Sequence, residues 1–338
     1  MSAMPSRLVP QWREGRPWLA ETIVCDGLLP WAKHLLPDGA DLGQQLRRFW
    51  HSGVDHISLT AAAGNEGPLE ALTRVGFLRR ELAAHRDWVR VVDSVHEIET
   101  ARRDGVLSVS LHFQTATPFV PSLDLVEAFK AAGVGRAILA YNEGNAFADG
   151  CHEQRDGGLT AYGRRLIERM DEVGMIVDLS HCGVRTSFEA LEAPLRRAPI
   201  FSHSNARALF DHERNISDDQ IRTCAARGGY IGINGAGMFL GADGPGIPQA
   251  IAEHAAHVAT VAGAERVGLG LDFMYLEGSD YGFFHTARGR WPRGYPQPPW
   301  DFFQPEQFGE LVAALERQGF TGEALAGVLG ENYLRFAN

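Results

Sequence analysis

Two segments of this chain end alike, and together they limit what it can fold into. The apolar run 175–179 leads straight into Ser180-His181, and the run 199–201 leads into Ser202-His203. Both runs, and a third at 230–233, are short and rich enough in β-branched or aromatic residues to be buried strands. Amphipathic helical patterns separate them. Strands that alternate with helices lie parallel in one sheet, and a parallel sheet gathers the C-terminal ends of its strands on one face. His181 and His203 are therefore expected in one shared mouth. Two imidazoles there make a metal site or an acid–base pair, against the plainer alternative of two capped structural histidines.

The same alternation runs through the rest of the chain. Further strands are expected at 22–26, where Gly27 breaks the run, and at 54–60. Others are expected at 106–111, stopping at His112-Phe113-Gln114, at 137–140, stopping at Tyr141-Asn142, and at 266–270, stopping at Leu271-Asp272. Helical periodicity covers 41–51, 67–85, 95–103, 123–131, 159–173 and 247–262, with two short helices at 305–318 and 321–329. Gly133 stands where a helix end favours positive φ. Ser217 and Gln220 have the spacing of a capping box. About eight strands alternate with helices, and no two strands follow one another directly. The expectation is α/β: a single (β/α)8 TIM-type barrel over 1–338, with the active site at the C-terminal ends of its strands. A doubly wound open sheet comes second, because no Rossmann fingerprint supports it. Residues 1–20 read as an N-terminal arm, 277–303 as a covering loop and 305–338 as closing helices. The glycine-rich stretch 235–246 lacks the strand-and-helix setting of a nucleotide loop.

Charge and cysteine usage narrow the function. A formal charge of -10 over 338 residues, with no basic cluster, argues against nucleic acid. The four cysteines are scattered without a CxxC pair, which fits a reducing compartment. The N-terminus lacks the apolar core of a signal peptide, and no run approaches the ~20 apolar residues of a membrane span. The expectation is a cytoplasmic protein with no membrane partner. The polar loop 143–158, with Asp149, Cys151, His152, Glu153 and Asp156, is long enough to read as functional.

At this point the chain resembles a known family. The residues that carry the likeness are MIVDLSHCG (175–183), PIFSHSNARAL (199–209), RNISDDQ (214–220), GGYIGIN (228–234), VGLGLDF (267–273) and GENYLRF (330–336). They resemble the renal or membrane dipeptidases, the M19 metallopeptidases of the amidohydrolase-type barrel group. The resemblance implies a binuclear zinc hydrolase. It places two metal-binding imidazoles at His181 and His203, the last-strand carboxylate at Asp272 and the substrate-carboxylate arginine at Arg214. Other ligands do not carry over. The family's DGHND reads Asp26-Gly27-Leu28-Leu29-Pro30 here, so neither residue of the HxD can bind zinc. The bridging glutamate falls on Gln114, or on Phe113 if the alignment slips by one, and a substrate-side histidine becomes Tyr141.

Two dications need an anionic bridge to offset their repulsion, so a binuclear centre is not expected. A mononuclear zinc remains, on His181, His203 and a third ligand. Asp272 is the first choice, then His152 or Glu153, then Cys25 or His112. Cys25 reads more readily as a core residue. Asp272, His152 and Tyr141 are the catalytic candidates, and Arg214, Gln114 and Asn234 the substrate-binding ones. The expected reaction is amide or peptide hydrolysis in a small molecule bearing a carboxylate, by a chain that the resemblance suggests is a homodimer. A barrel enzyme of another reaction class, metal-free, and a non-catalytic binding protein are the alternatives. Asp178 and Asp26 are expected to orient a histidine from below, His254 and His257 to lie on the surface, and the aromatics of 291–303 to pack a lid or a dimer contact.

Overall fold

The protein is described by a computed structural model over residues 10–31, 36–37, 39–277, 279, 281–282 and 295–337. Short runs of buried, β-branched residues form parallel strands because both faces of each are covered. β1 (Cys25–Leu29) pairs with β2 (His56–Ala63). A three-residue strand, β3 (Val89–Val91), lies beside the first half of β4 (Leu107–Gln114). β4 also joins β2 to β5 (Val134–Ile138), and β5 pairs with β6 (Ile176–Asp178). Residues 200 and 201 bridge β6 to β7 (Ile231–Ile233) through Asp178 opposite Ile200 and Phe201 opposite Ile231. β7 pairs with β8 (Val267–Leu269).

The ring then closes. The Leu271 N–H donates to the Asp26 carboxylate at 2.8 Å, and the Asp272 N–H donates to the Leu28 carbonyl at 3.0 Å. Eight parallel segments around one axis make the (β/α)8 barrel that the alternation implies. The main core lies between the strands and the outer helices. A second apolar cluster gathers Cys25, Ile176, Ile200 and Tyr230 with Tyr333 of the last helix, Asn332–Ala337.

Several local expectations shift. Gly27 does not end β1, which runs on to Leu29. A Cβ on Gly27 would stand 2.9 Å from the Leu269 carbonyl oxygen, so glycine here permits the close β1–β8 seam. The glycine-rich stretch holds a short helix, Gly237–Leu240, and the terminal motif is helical as well. Gly133 takes φ 91° behind the helix Asp124–Ala131, and Ser217 forms the capping box with Gln220. In the N-terminal segment, the Arg13 guanidinium pairs with Asp55 at 2.9 Å and Trp12 stacks on Phe308. Residues 1–9 of the expected arm, and 283–294 of the covering loop including Trp291, lie outside the described residues. Trp300, Phe302 and Phe303 are buried. Among the described residues, no helix is long and apolar enough to cross a membrane.

Candidate active site

Three non-glycine residues a few positions beyond barrel strands have left-handed backbone. They are Asn142 after β5 (φ 62°), His181 after β6 (φ 67°) and Asp272 after β8 (φ 52°). Such conformations cost energy for residues with a Cβ, and they persist where the surroundings over-determine them, which is often at functional sites.

His181 and His203 meet in the mouth. Both are buried, and their Nε2 atoms are 2.9 Å apart. Each other ring nitrogen has its own partner: Asn142 Oδ1 lies 2.7 Å from His181 Nδ1, and Ser202 Oγ lies 2.7 Å from His203 Nδ1. The Asn142 amide is oriented independently, because its Nδ2 donates to the Tyr295 hydroxyl at 3.1 Å. An amide oxygen only accepts, so the His181 Nδ1 carries a proton. Its Nε2 then accepts from His203 Nε2–H, and His203 Nδ1 accepts from the Ser202 hydroxyl. Ser180 Oγ in turn accepts the His203 N–H at 3.0 Å. Burial first, and then the Arg214 cation, hold both imidazoles well below the usual histidine range, so the pair is neutral.

The other candidates surround this pair. The Tyr141 ring stacks on His181 at 4.1 Å, and burial keeps its phenol protonated far above the ordinary range. Asp272 accepts from Asn234 Nδ2 at 2.9 Å; burial raises its pKa to about 6, and Arg214 opposes the rise. Asn234 also accepts the Ala236 N–H, so its amide is spent on holding Asp272. Arg214 is buried over the Phe239 ring, and its Nη2 donates to the His203 carbonyl at 3.2 Å. Its Nε is buried with no hydrogen-bond partner among the described residues, which leaves donor capacity for an anion. His152 lies at the rim, its ring 6.1 Å from that of His212; burial takes its pKa down to about 3. Gln114 donates to Thr60 Oγ1 at 2.9 Å, and His112 is held between Ser58 and Thr60.

Three supporting roles differ from expectation. Asp178 has no hydrogen bond to an imidazole among the described residues: it accepts the Ser180 and Ser202 N–H groups at 3.1 Å each and faces Arg136 at 3.1 Å, so it fixes the two strand ends. Asp26 likewise accepts the Leu28 and Leu271 N–H groups at the seam. His254 is not on the surface; it is buried and accepts the Ala206 N–H, because the helix Ile247–Ala262 packs that face inward. His257 is half-buried on Asp218.

Zinc with catalytic coordination needs three protein donors around one point. Among the described residues, no three or more of His, Cys, Asp and Glu are placed to hold a metal ion. The pair offers two nitrogens, but the expected third ligand is absent from the grouping. Asp272 is engaged by Asn234. Glu153 accepts the Gly144 N–H at 3.0 Å, His112 is closed on hydroxyls, and Cys25 lies in the separate apolar cluster. Among the described residues, the donor set therefore does not fit the zinc that the family implies.

Asn142 and Tyr295 were not distinguishable beforehand as parts of the site. The one available signal was that Asn142 closes a strand, as His181 and Asp272 do.

Comparison with known proteins agrees with the fold. An uncharacterised dipeptidase of Schizosaccharomyces pombe is 32% identical over 276 residues, 79% of this chain and 61% of the relative. The chain thus spans about three-fifths of that relative's length. The crystal structure of an amidohydrolase from Pseudomonas aeruginosa has a TM-score of 0.82 at 27% identity, covering 95% of this chain and 97% of the other. A metallopeptidase from Rhodobacter sphaeroides, solved with a phosphinate mimic of the dipeptide L-Ala-D-Ala, shares the fold with a TM-score of 0.75 at 19% identity, covering 93% and 98%. The model of the membrane dipeptidase family, M19, matches residues 64–338, and the chain belongs to that family.

Proposed function

We propose that this protein hydrolyses an amide or peptide bond in a small substrate bearing a free carboxylate. The observation that carries the reading is the buried Arg214, with a guanidinium nitrogen lacking a partner among the described residues, and the half-buried Asp272, whose pKa is raised to about 6, a rise that Arg214 opposes electrostatically. Arginine binds carboxylates with two parallel hydrogen bonds, so Arg214 anchors the substrate. Asp272, ionised above about pH 6, accepts a proton as water adds to the carbonyl carbon. Tyr141, kept protonated by burial, donates to the oxyanion that forms. Collapse of that intermediate breaks the C–N bond, and Asp272 returns the proton to the departing amine. Every step uses side chains of this chain, in keeping with a donor set that lacks a third metal ligand among the described residues.

The test is a panel of dipeptides and N-acyl amino acids, assayed beside the same compounds with the carboxylate amidated. Turnover restricted to the free acids is expected. Equal turnover of the amidated compounds, or none with any substrate, would count against the reading.

A further inference from the structure

We infer that the described residues of this barrel mouth do not make a metal site, and that His181 and His203 form a hydrogen-bonded dyad whose proton order is set from Asn142. The inference deepens the hydrolase reading above and rests on it for the dyad's place in catalysis.

The first argument is charge. A dication in a buried mouth needs anionic ligands to offset its desolvation. On the β1 side the chain presents Leu28, Leu29 and Pro30, all buried. On the β2 and β4 side it presents uncharged groups that satisfy one another. Gln114 donates to Thr60 at 2.9 Å, and the two His112 nitrogens lie 2.8 and 3.0 Å from the Ser58 and Thr60 hydroxyls. The neighbouring carboxylate, Asp26, already accepts the Leu28 and Leu271 N–H groups with one oxygen. Apart from Asp26, whose other oxygen has no hydrogen-bond partner among the described residues, no side chain of this set carries the negative charge that a metal pair requires.

The second argument is the dyad itself. Its two Nε2 atoms lie at hydrogen-bond distance, 2.9 Å, and share one proton between them. The outer nitrogens are matched in the same sense: an acceptor, Asn142 Oδ1, faces the protonated His181 Nδ1, and the Ser202 hydroxyl faces the bare His203 Nδ1. A metal between the rings would need both Nε2 lone pairs. His203 would have to move its proton to Nδ1, and the Ser202 hydroxyl would have to reverse, accepting that N–H and turning its own proton toward Ser180 Oγ at 3.4 Å. The dyad's hydrogen bonds are thus complete without an ion, and Asn142 is its positioning residue.

The experiment uses the full chain purified without chelator. Zinc per chain is measured by mass spectrometry, and zinc ion alone is titrated while the imidazole nitrogens are followed by long-range 1H–15N spectra. We expect fewer than about one zinc in ten chains, with His181 protonated on Nδ1 and His203 on Nε2. Bound zinc that survives in both His181→Ala and His203→Ala would lie elsewhere and leave the inference standing. About one zinc per chain, lost in both variants, would overturn it, as would zinc-induced collapse of the two ring patterns. In Asn142→Ala, His181 should become a mixture of tautomers, and Asn142→Asp, which keeps an acceptor, should restore the Nδ1–H form. Unchanged ring patterns in folded Asn142→Ala would refute the positioning role. A metal-free, intact dyad without amide turnover would sink the hydrolase reading and not this one.

Discussion

At the scale of single residues, Asp272 carries the sharpest expectations. Asp272→Asn should lower kcat by about 10²–10⁴-fold with little change in KM, as expected for loss of a general base. The pH profile has a definite sign. Burial raises the carboxyl to about 6, so the reactive carboxylate is lost as pH falls through that value. The kcat/KM profile should drop on its acid limb near pH 6, and a limb near pH 4, where an unperturbed carboxyl titrates, would remove Asp272 from the role. The sequence exposed Asp272, His181 and His203 because each follows a buried strand. It did not expose Asn142, because asparagine is common in turns and its role depends on a left-handed backbone and on Tyr295, 153 residues away. Asn234 was expected at the substrate, and its place as the partner of Asp272 was not legible, since an amide shows no preference until its neighbours are placed.

At the scale of elements, the seams between strands dominate. A Cβ at Gly232 or Gly270 would collide with the Ser202 carbonyl oxygen. Gly270→Ala should destabilise the fold by about 1–3 kcal/mol or more, seen as a lower Tm, because the obstacle is backbone and cannot swing aside. Asp26 holds the β1–β8 seam with its carboxyl raised to about 7 by burial. Its native form binds a proton that the unfolded chain releases near pH 4, so this group makes stability fall as pH rises from about 4 to about 7. Asp26→Asn, which keeps an acceptor oxygen, should flatten that slope in denaturant titrations; an unchanged slope would contradict the burial argument. The strands and helices were readable from periodicity, and Ser217 with Gln220 from local capping chemistry. Gly27 was misread as a break, because from sequence alone a glycine that permits close strand approach looks like one that ends a strand.

For the whole molecule, the barrel was legible because it follows from alternation, while the ligand inventory was legible only as a loss. Leu28, Pro30 and Gln114 announced missing metal donors, but whether Asp272 or the loop carrying His152 and Glu153 supplied a replacement depended on tertiary placement. The barrel instead brings Asp272 and Arg214 into one electrostatic neighbourhood with the neutral histidine pair. On the function proposed above, this mouth recognises a carboxylate through Arg214. The most direct measurement is kcat/KM for an N-acyl amino acid and for its amidated form, on the wild-type protein and on Arg214→Leu. The account predicts a preference for the acid of about 10²-fold or more, as for loss of a charge-paired hydrogen bond, and its disappearance in the variant through a raised KM. A preference that survives Arg214→Leu, or that is absent from the wild type, would contradict it.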